Sequence, residues 1–379
     1  FYTYEGVVKA LNRVSLVVDH GTTFGLVGES GCGKSVTARS VMRIVQEPGR
    51  IEGGKIIVYF DEKNSEAGVN LLQQSEAYME AFRGDQISMI FQEPNAALNP
   101  TMSIGDQVSE SYLFHQKKEM SAKILHDLCA PECRAFYPLK KLQQAMFRAA
   151  ARDPNALVLK ILDQIPLGKL WQKRLQKEAK RRSTEIVGKL GIPHPEQIVE
   201  QYPHNLSGGM KQRIVIAIAL ACSPILLIAD EATSNLDVTI QAQILELLGR
   251  LKEEGISSIL LITHDLGIVA ETCDRVAVMY AGNLVEVADV NDLFKKPLHP
   301  YTKALLDAVP KFSMEGTLKS IEGNVPNLVT PPPGCRFHPR CPHAMEVCQG
   351  SFPEMVEIEK DHLVACYLWT NGDVKPGDD

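Results

Sequence analysis

The chain has 379 residues, 45% of them hydrophobic and 23% charged, and these proportions are ordinary for a globular protein. Because the chain is longer than one compact domain, we expect one large domain and a smaller additional one. Its formal net charge of -6 argues against bulk electrostatic attraction to nucleic acid or anionic lipid, and no apolar run approaches the ~20 residues that a transmembrane helix requires.

The first pattern that carries chemistry is a glycine loop between a predicted strand and a predicted helix. Residues 28–35 fit G-x-x-x-x-G-K-[ST], after an apolar run at 23–27 and before a helical pattern at 36–45. These flanks disfavour the alternative, a chance glycine-rich turn. Backbone N–H groups and the positive end of the helix would surround a phosphate chain, with Lys34 at the β- and γ-phosphates and the Ser35 hydroxyl on Mg²⁺. The residues expected to bind nucleotide here are Gly28, Ser30, Gly31, Cys32, Gly33, Lys34, Ser35 and Val36.

Two further nucleotide contacts are predicted outside this loop. Residues 1–27 alternate apolar and polar positions, which predicts antiparallel strands leading into the run at 23–27. Tyr4 lies among them and could stack on a purine ring or be an ordinary strand aromatic. Gln92 follows a predicted buried strand at 87–91, at the edge where parallel sheets bind ligands, so its amide could reach Mg²⁺ or the attacking water.

A second loop of small residues begins a later helix. Residues 102–200 have a helical composition, and residues 206–210 read Leu-Ser-Gly-Gly-Met before a predicted helix at 211–221. By the same helix-terminus argument, Ser207, Gly208 and Gly209 form a second anion site. The alternative is a simple helix cap. Because one nucleotide already has a phosphate loop, we interpret this site as serving ATP held by another subunit, in a head-to-tail pair with two-fold symmetry.

Two later strands end in residues suited to hydrolysis. An apolar strand at 225–229 closes on Asp230, which would hold Mg²⁺ through water, and Glu231, which would orient or deprotonate the attacking water. A strand at 258–263 ends at His264, which is expected at the same sheet edge and able to contact a γ-phosphate. The catalytic candidates are therefore Glu231, His264 and Gln92. The intervening turn at 234–237 could cross a dimer interface.

Four of the nine cysteines fall in the last 45 residues. Few apolar runs accompany them, so we expect a bound metal to stabilise a small C-terminal domain at 313–379. Four thiolates suit either tetrahedral Zn²⁺ or a [4Fe–4S] cluster, and the spacing alone leaves both open. These cysteines are Cys335, Cys341, Cys348 and Cys366.

Taken together and in this order, the motifs resemble the ATPase subunit of an ABC transporter, from Tyr4 to about Lys311. The resemblance implies an α/β P-loop NTPase fold with a mostly parallel core sheet, an antiparallel β subdomain and a helical subdomain at about 93–224. This nucleotide-binding domain would span 1–312, with an insertion at about 119–200 relative to the family. Ala232 departs from the family, which usually has Pro at this position.

Several runs resemble one group within this family, the dipeptide and oligopeptide importers. Among them are Met89–Pro94, Tyr202–His204 and Pro297–Thr302, and the run from Cys335 to Pro342 with Cys366 matches the importer tail. That match implies an iron–sulfur cluster, with Zn²⁺ as the alternative. It also implies ATP hydrolysis, with Mg²⁺, that powers peptide import from the cytoplasmic face of the cell membrane.

The resemblance further implies a set of partners. These are a second ABC ATPase subunit, as a heterodimer or as a homodimer in isolation, two transmembrane permease subunits and, indirectly, an extracytoplasmic peptide-binding protein. No nucleic acid is expected. Two alternatives stay open: a soluble ABC ATPase acting on DNA or ribosomes, and a metal-sensing regulatory ATPase. The cargo, whether dipeptide, oligopeptide or nickel chelate, would be read by other subunits.

Overall fold

The computed structural model describes residues 1–60, 68–130, 137–153, 168–233, 236–253, 258–309 and 321–370. The chain divides into two compact units. The first comprises Phe1–Met79, Ile228–Glu231 and Leu248–Asp379, and the second comprises Glu80–Leu227 and Ala232–Leu247.

Strands and helices alternate through much of the chain. The strands are β1 (Tyr2–Thr3), β2 (Gly6–Val7), β3 (Thr23–Val27), β4 (Ile57–Val58), β5 (Val69–Asn70), β6 (Ile87–Ile90), β7 (Leu226–Asp230), β8 (Ser258–Ile262), β9 (Arg275–Tyr280), β10 (Asn283–Asp289), β11 (Val356–Glu359) and β12 (His362–Val364). The α-helices are α1 (Lys34–Val41), α2 (Glu76–Phe82), α3 (Pro94–Ala97), α4 (Ile104–His115), α5 (Lys117–Cys129), α6 (Tyr137–Arg152), α7 (Gly168–Lys189), α8 (Pro195–Ile198), α9 (Gly208–Leu220), α10 (Val238–Glu253), α11 (Leu266–Thr272), α12 (Val290–Lys295), α13 (Pro300–Asp307), α14 (Val347–Gly350) and α15 (Tyr367–Thr370).

The sheet of the first unit is built around β3, whose five residues are all buried. Strand β3 pairs in parallel with β8 on one side and with β9 on the other, so Leu26 lies opposite both Ile262 and Ala277. Burial on both faces explains why these strands are continuously apolar. Strand β7, whose last three residues belong to this unit, lies beyond β8. The parallel core that the sequence predicts is confirmed.

The strands beyond β9 in this sheet are antiparallel. Strand β10 pairs with β9 and β12, and β11 pairs with β12, so the whole sheet is mixed. Residues 1–27 contain less strand than predicted. Strands β1 and β2 form a hairpin in which each strand has two residues, and residues 8–22, all described, form no strand. Strands β4 and β5 make a second short antiparallel pair.

The C-terminal strands extend the sheet that contains β3, the strand that precedes the glycine loop. Val364 of β12 lies opposite Glu286 of β10, and an apolar cluster forms where Leu298 packs with Val364 and Cys366. Trp369 packs against this cluster and donates its indole N–H to the Leu298 carbonyl at 3.1 Å. Residues 321–370 therefore need no separate core. The expected boundary at 312 lies outside the described residues.

The second unit is largely helical, as predicted for 102–200 wherever the structure describes that range. Helices α4 and α7 meet at the buried hydroxyls of Ser109 and Ser183, which lie 2.9 Å apart, and Glu178 of α7 pairs with Lys123 of α5 at 2.9 Å. The expected insertion at about 119–200 falls on α5 to α8, apart from residues 131–136 and 154–167, which lie outside the described range. Within the described residues, no helix is both long and apolar enough to span a membrane.

Candidate functional site

The glycine loop joins β3 to α1 in the first unit and depends on backbone conformations that favour glycine. The φ angles of Gly28, Gly31 and Gly33 are 151°, 79° and 110°. A Cβ on Gly28 would collide with the Met279 carbonyl oxygen, and one on Gly33 would lie 2.8 Å from the Ala10 carbonyl oxygen. The loop therefore lies against its neighbours without room for side chains at these two positions.

Helix α1 starts inside the motif, two residues earlier than predicted. Gly33 is its N-cap. Because glycine has no side chain that could cap the helix, the first turn of α1 offers backbone N–H groups to an anion. Ser35 and Val36 lie in that first turn and are half-buried, whereas Ser30 and Gly31 are exposed at the tip of the loop. This arrangement fits a phosphate chain.

Lys34 places its ammonium group inside the curl of the loop. Its side chain is buried, and Nζ donates to the carbonyl oxygens of Gly28 at 2.7 Å and Glu29 at 3.1 Å. Cys32 is also buried there, and burial raises the pKa of its thiol, so it packs as a small neutral side chain. The loop thus holds one fixed positive charge where phosphate oxygens would bind.

Ser35 and Asp230 form a pair of oxygen ligands at the end of β7. The Ser35 hydroxyl donates to Asp230 Oδ1 at 2.8 Å, and only 3% of Asp230 is exposed. Burial raises the pKa of the Asp230 carboxyl, while the Ser35 hydrogen bond opposes that rise. A hydroxyl and a carboxylate side by side are the ligand types that Mg²⁺ prefers. Two of the three residues predicted to hold Mg²⁺, Ser35 and Asp230, are therefore brought together, and the role of Gln92 as the third stays a prediction.

Glu231 and His264 also meet, as the sheet-edge argument predicts. Glu231 has a φ of 49°, and its backbone N–H donates to the Ile262 carbonyl at 2.9 Å, which fixes it beside the end of β8. Its carboxylate Oε1 lies 3.2 Å from His264 Nδ1, with side-chain exposures of 16% for Glu231 and 61% for His264. A carboxylate held by an accessible imidazole is suited to accept a proton from water.

Two residues that hold the loop were not predicted from the sequence. Tyr301 accepts a hydrogen bond from the Glu29 backbone N–H at 3.0 Å, and Arg340 donates to both Glu29 carboxylate oxygens at 2.8 and 3.1 Å. Glu29 occupies a variable position of the motif. Its partners lie 272 and 311 residues away, so no local pattern could have indicated these contacts.

The remaining predicted residues are Tyr4 in the first unit and Gln92, Ser207, Gly208 and Gly209 in the second. Tyr4 is fully exposed in the turn between β1 and β2, and its stacking role stays a prediction. In the second unit, the exposed Gln92 follows β6, and Ser207 caps α9 by accepting a hydrogen bond from the Met210 N–H at 3.4 Å. Gly208 is exposed with open space around it, whereas a Cβ on Gly209 would lie 2.8 Å from Ile240. The start of α9 is thus an accessible helix terminus.

The turn at 234–237 is described only at its end. Asp237 caps α10 by accepting a hydrogen bond from the Ile240 N–H at 2.9 Å, and Ser234 and Asn235 lie outside the described residues. The interface role of this turn stays a prediction.

Four cysteines from the C-terminal region line one cavity of the first unit. It is partly open to solvent, and its walls include His299, Phe337 and His338. The cysteines are not in disulfides, and burial raises the pKa of the Cys335 thiol to about 11 and that of Cys366 to about 12. Within the described residues, no three His, Cys, Asp or Glu side chains come close enough together to hold a single metal ion. The cysteines on the cavity are Cys335, Cys341, Cys348 and Cys366.

Comparisons with known proteins identify the family and the fold. Residues 11–234 match the family described as "ABC transporter", and residues 285–348 match "Oligopeptide/dipeptide transporter, C-terminal region". The solved dimer of MJ0796, a bacterial ABC transporter cassette, has the same fold, with a TM-score of 0.52 and 20% identity over 76% of this chain and 94% of that one.

Curated relatives match over almost the whole chain. Dipeptide transport ATP-binding protein DppD of Bacillus subtilis is 40% identical over 370 residues, which cover 97% of this chain and 91% of the relative. Oligopeptide transport ATP-binding protein OppD of Escherichia coli is 39% identical over 368 residues, covering 97% of this chain and 90% of the relative. The chain therefore belongs to the ABC transporter family, in its group of dipeptide and oligopeptide transport ATP-binding proteins.

Proposed function

We propose that this chain binds and hydrolyses ATP to power the import of dipeptides or oligopeptides, as the nucleotide-binding subunit of an ABC transporter. The observation that carries the proposal is the convergence of three parts in the first unit: Lys34 in its glycine loop, the Ser35–Asp230 pair, and the Glu231–His264 pair. The names of the relatives, which refer to dipeptide and oligopeptide transport, supply the cargo class.

Each part has one chemical role. The glycine loop and Lys34 bind the β- and γ-phosphates and stabilise the charge that spreads over the γ-phosphoryl oxygens. Ser35 and Asp230 would hold Mg²⁺, which supplies further charge neutralisation, and Gln92 is the third proposed ligand. Glu231 orients a water and accepts its proton as the water oxygen bonds to the γ-phosphorus and the bond to ADP breaks. His264 holds the Glu231 carboxylate and would contact the γ-phosphate.

The accessible start of α9 supports a dimeric arrangement. Ser207, Gly208 and Gly209 would bind the γ-phosphate of ATP held by a second ABC ATPase, and the P-loop of this chain would bind its own ATP against the partner. ATP then favours the closed dimer, and hydrolysis removes the contact and reopens it. The partner is a related subunit in a heterodimer, or a second copy in isolation. Both would lie at the cytoplasmic face of the membrane against two permease subunits, which receive peptide from a binding protein.

The cysteine cavity is the proposed site of a [4Fe–4S] cluster, with Zn²⁺ as the alternative. Four cysteines outside any disulfide line it, and four thiolates suit either group. The similarity of the run from Cys335 to Pro342 to the importer tail favours the cluster. Cys335, Cys341, Cys348 and Cys366 would be the ligands, and the cluster would supply covalent cross-linking and one-electron chemistry.

The test is reconstitution with the partner ATPase and the permeases in lipid vesicles. We expect the binding protein loaded with peptide to stimulate ATP hydrolysis and peptide to accumulate in the vesicle lumen, and Lys34→Ala to abolish both because the phosphate chain loses its buried cation. Hydrolysis that ignores permeases and peptide but rises with DNA, with ribosomes or with metal supplied to the cysteines would refute the transport function.

A further inference from the structure

We propose that Arg340 is a positioning residue for the nucleotide site, which it controls by holding Glu29 of the glycine loop. This inference rests on the proposed function, because it takes the loop around Lys34 to be the ATP site. It assigns to the C-terminal cysteine segment, which contains Arg340, a part in ATP binding that is exerted through Glu29.

The guanidinium of Arg340 is fixed at all three nitrogens. Nη1 and Nη2 donate to the two Glu29 carboxylate oxygens at 2.8 and 3.1 Å, Nε donates to the Glu322 carbonyl at 2.8 Å, and Nη2 also donates to the Ile321 carbonyl at 3.3 Å. Only 6% of the Arg340 side chain and 22% of the Glu29 side chain are exposed. A two-pronged, charge-assisted pair with this little exposure to water is strong and directional.

Aromatic packing holds Arg340 in this position. The Tyr280 hydroxyl accepts a hydrogen bond from Arg340 Nη1 at 3.2 Å, and the guanidinium carbon lies 5.8 Å from the centre of the Tyr280 ring. Phe337, which is 1% exposed, packs edge-on against Tyr280 and also against Tyr301, with ring centres 5.1 and 5.3 Å apart. The segment that carries Arg340 is therefore anchored on β9 and α13.

Glu29 transmits this position to the phosphate loop. Its backbone carbonyl accepts a hydrogen bond from Lys34 Nζ at 3.1 Å, and its backbone N–H donates to Tyr301 at 3.0 Å. Without Arg340, the Glu29 carboxylate would be an uncompensated negative charge within the loop that receives phosphates, and it would repel them. Arg340 both cancels that charge and fixes the residue that orients Lys34.

The experiment measures ATP hydrolysis and equilibrium ATP binding for the full-length chain and four variants. We expect Arg340→Gln to raise the KM and Kd for ATP about tenfold, with kcat within about twofold of the parent, because Glu231 and His264 are untouched. Glu29→Gln combined with Arg340→Gln removes the unpaired charge, so KM should return to within about threefold of the parent. Arg340→Lys keeps the positive charge but cannot donate to both carboxylate oxygens at once. Its KM for ATP should lie between those of the parent and Arg340→Gln.

A matched control separates this role from general stability. Arg275 also joins the C-terminal region to the ATPase sheet, by donating to the Asp361 carbonyl at 3.4 Å, but it does not contact the glycine loop. Arg275→Gln should leave the KM for ATP unchanged. If Arg340→Gln does not fold, Arg340→Lys and the double variant supply the same comparison.

The possible results are distinguishable. An unchanged KM in Arg340→Gln, or a double variant as weak as Arg340→Gln, overturns the role of Arg340 while ATP binding by the parent chain keeps the proposed function. A parent chain that fails to bind ATP overturns the proposed function itself.

Discussion

Replacing Glu231 with glutamine tests the assignment of the hydrolytic residue most directly. The substitution keeps the shape of the side chain and leaves the backbone N–H bonded to the Ile262 carbonyl, 2.9 Å away. An amide oxygen still accepts a hydrogen bond from His264 Nδ1, which lies 3.2 Å from the carboxylate. What the amide cannot do is accept a proton from water.

Loss of a positioned general base lowers the rate about 10²- to 10⁴-fold. At 1.36 kcal/mol for each factor of ten, the activation free energy should rise by about 3–5 kcal/mol. ATP binding should persist, because Lys34 and the Ser35–Asp230 pair are unchanged. Phosphate release under saturating ATP measures the rate, and equilibrium binding of labelled ATP measures affinity.

An exposed glutamate in the same unit provides the control. Glu271 lies on α11 and is solvent-exposed, so Glu271→Gln removes a carboxylate of the same kind without touching the site. Hydrolysis by Glu231→Gln at the rate of the Glu271→Gln control would refute the argument, since another residue would then be handling the water.

Two further predictions concern the C-terminal region. The anaerobically purified protein should be brown, with broad absorption near ~400 nm that Cys341→Ser removes, whereas colourless protein with stoichiometric zinc would favour the other metal. Burial lowers the pKa of His299 from 6.5 to about 4, so the folded state keeps this imidazole neutral while the unfolded chain protonates it. The free energy of unfolding should therefore fall by up to about 3 kcal/mol as pH drops from 6.5 to 4 and stay level above 6.5. Asparagine can still accept the Tyr301 N–H that His299 Nδ1 accepts at 3.0 Å, so His299→Asn should show a flatter profile in denaturation at several pH values, and an equally steep profile would contradict the assignment.

The parts of the site that the sequence predicts are those fixed by neighbours in the chain or by the strand-end rule. The glycine loop could be predicted because its backbone conformations require glycine at particular spacings. Glu231 and His264 could be placed together because both follow apolar strands, and parallel strands end at one edge of a sheet. The distance of 3.2 Å between their side chains agrees with this placement, and their roles in hydrolysis stay predictions.

The parts that the sequence could not predict depend on distant partners. The motif alone did not indicate that Gly33 would cap α1, so the helix begins earlier than expected. Strands β11 and β12 are four and three residues long and carry polar residues, so only their pairing with β10 identifies them as part of the sheet. The bond between Arg340 and Glu29 joins residues 311 apart and has no signature in either local sequence.

The pairing of β12 with β10 has a consequence for how this protein can be divided. A chain that ended before residue 321 would leave β10 as an open edge, which is a template for aggregation. It would also take His362 away from the fully buried Glu286 carboxylate, which accepts its Nε2 hydrogen bond at 2.8 Å, and it would release the glycine loop from Arg340. Residues 321–370 are therefore part of the ATPase fold. We expect a chain truncated before residue 321 to be less stable and to bind ATP more weakly than the full-length chain.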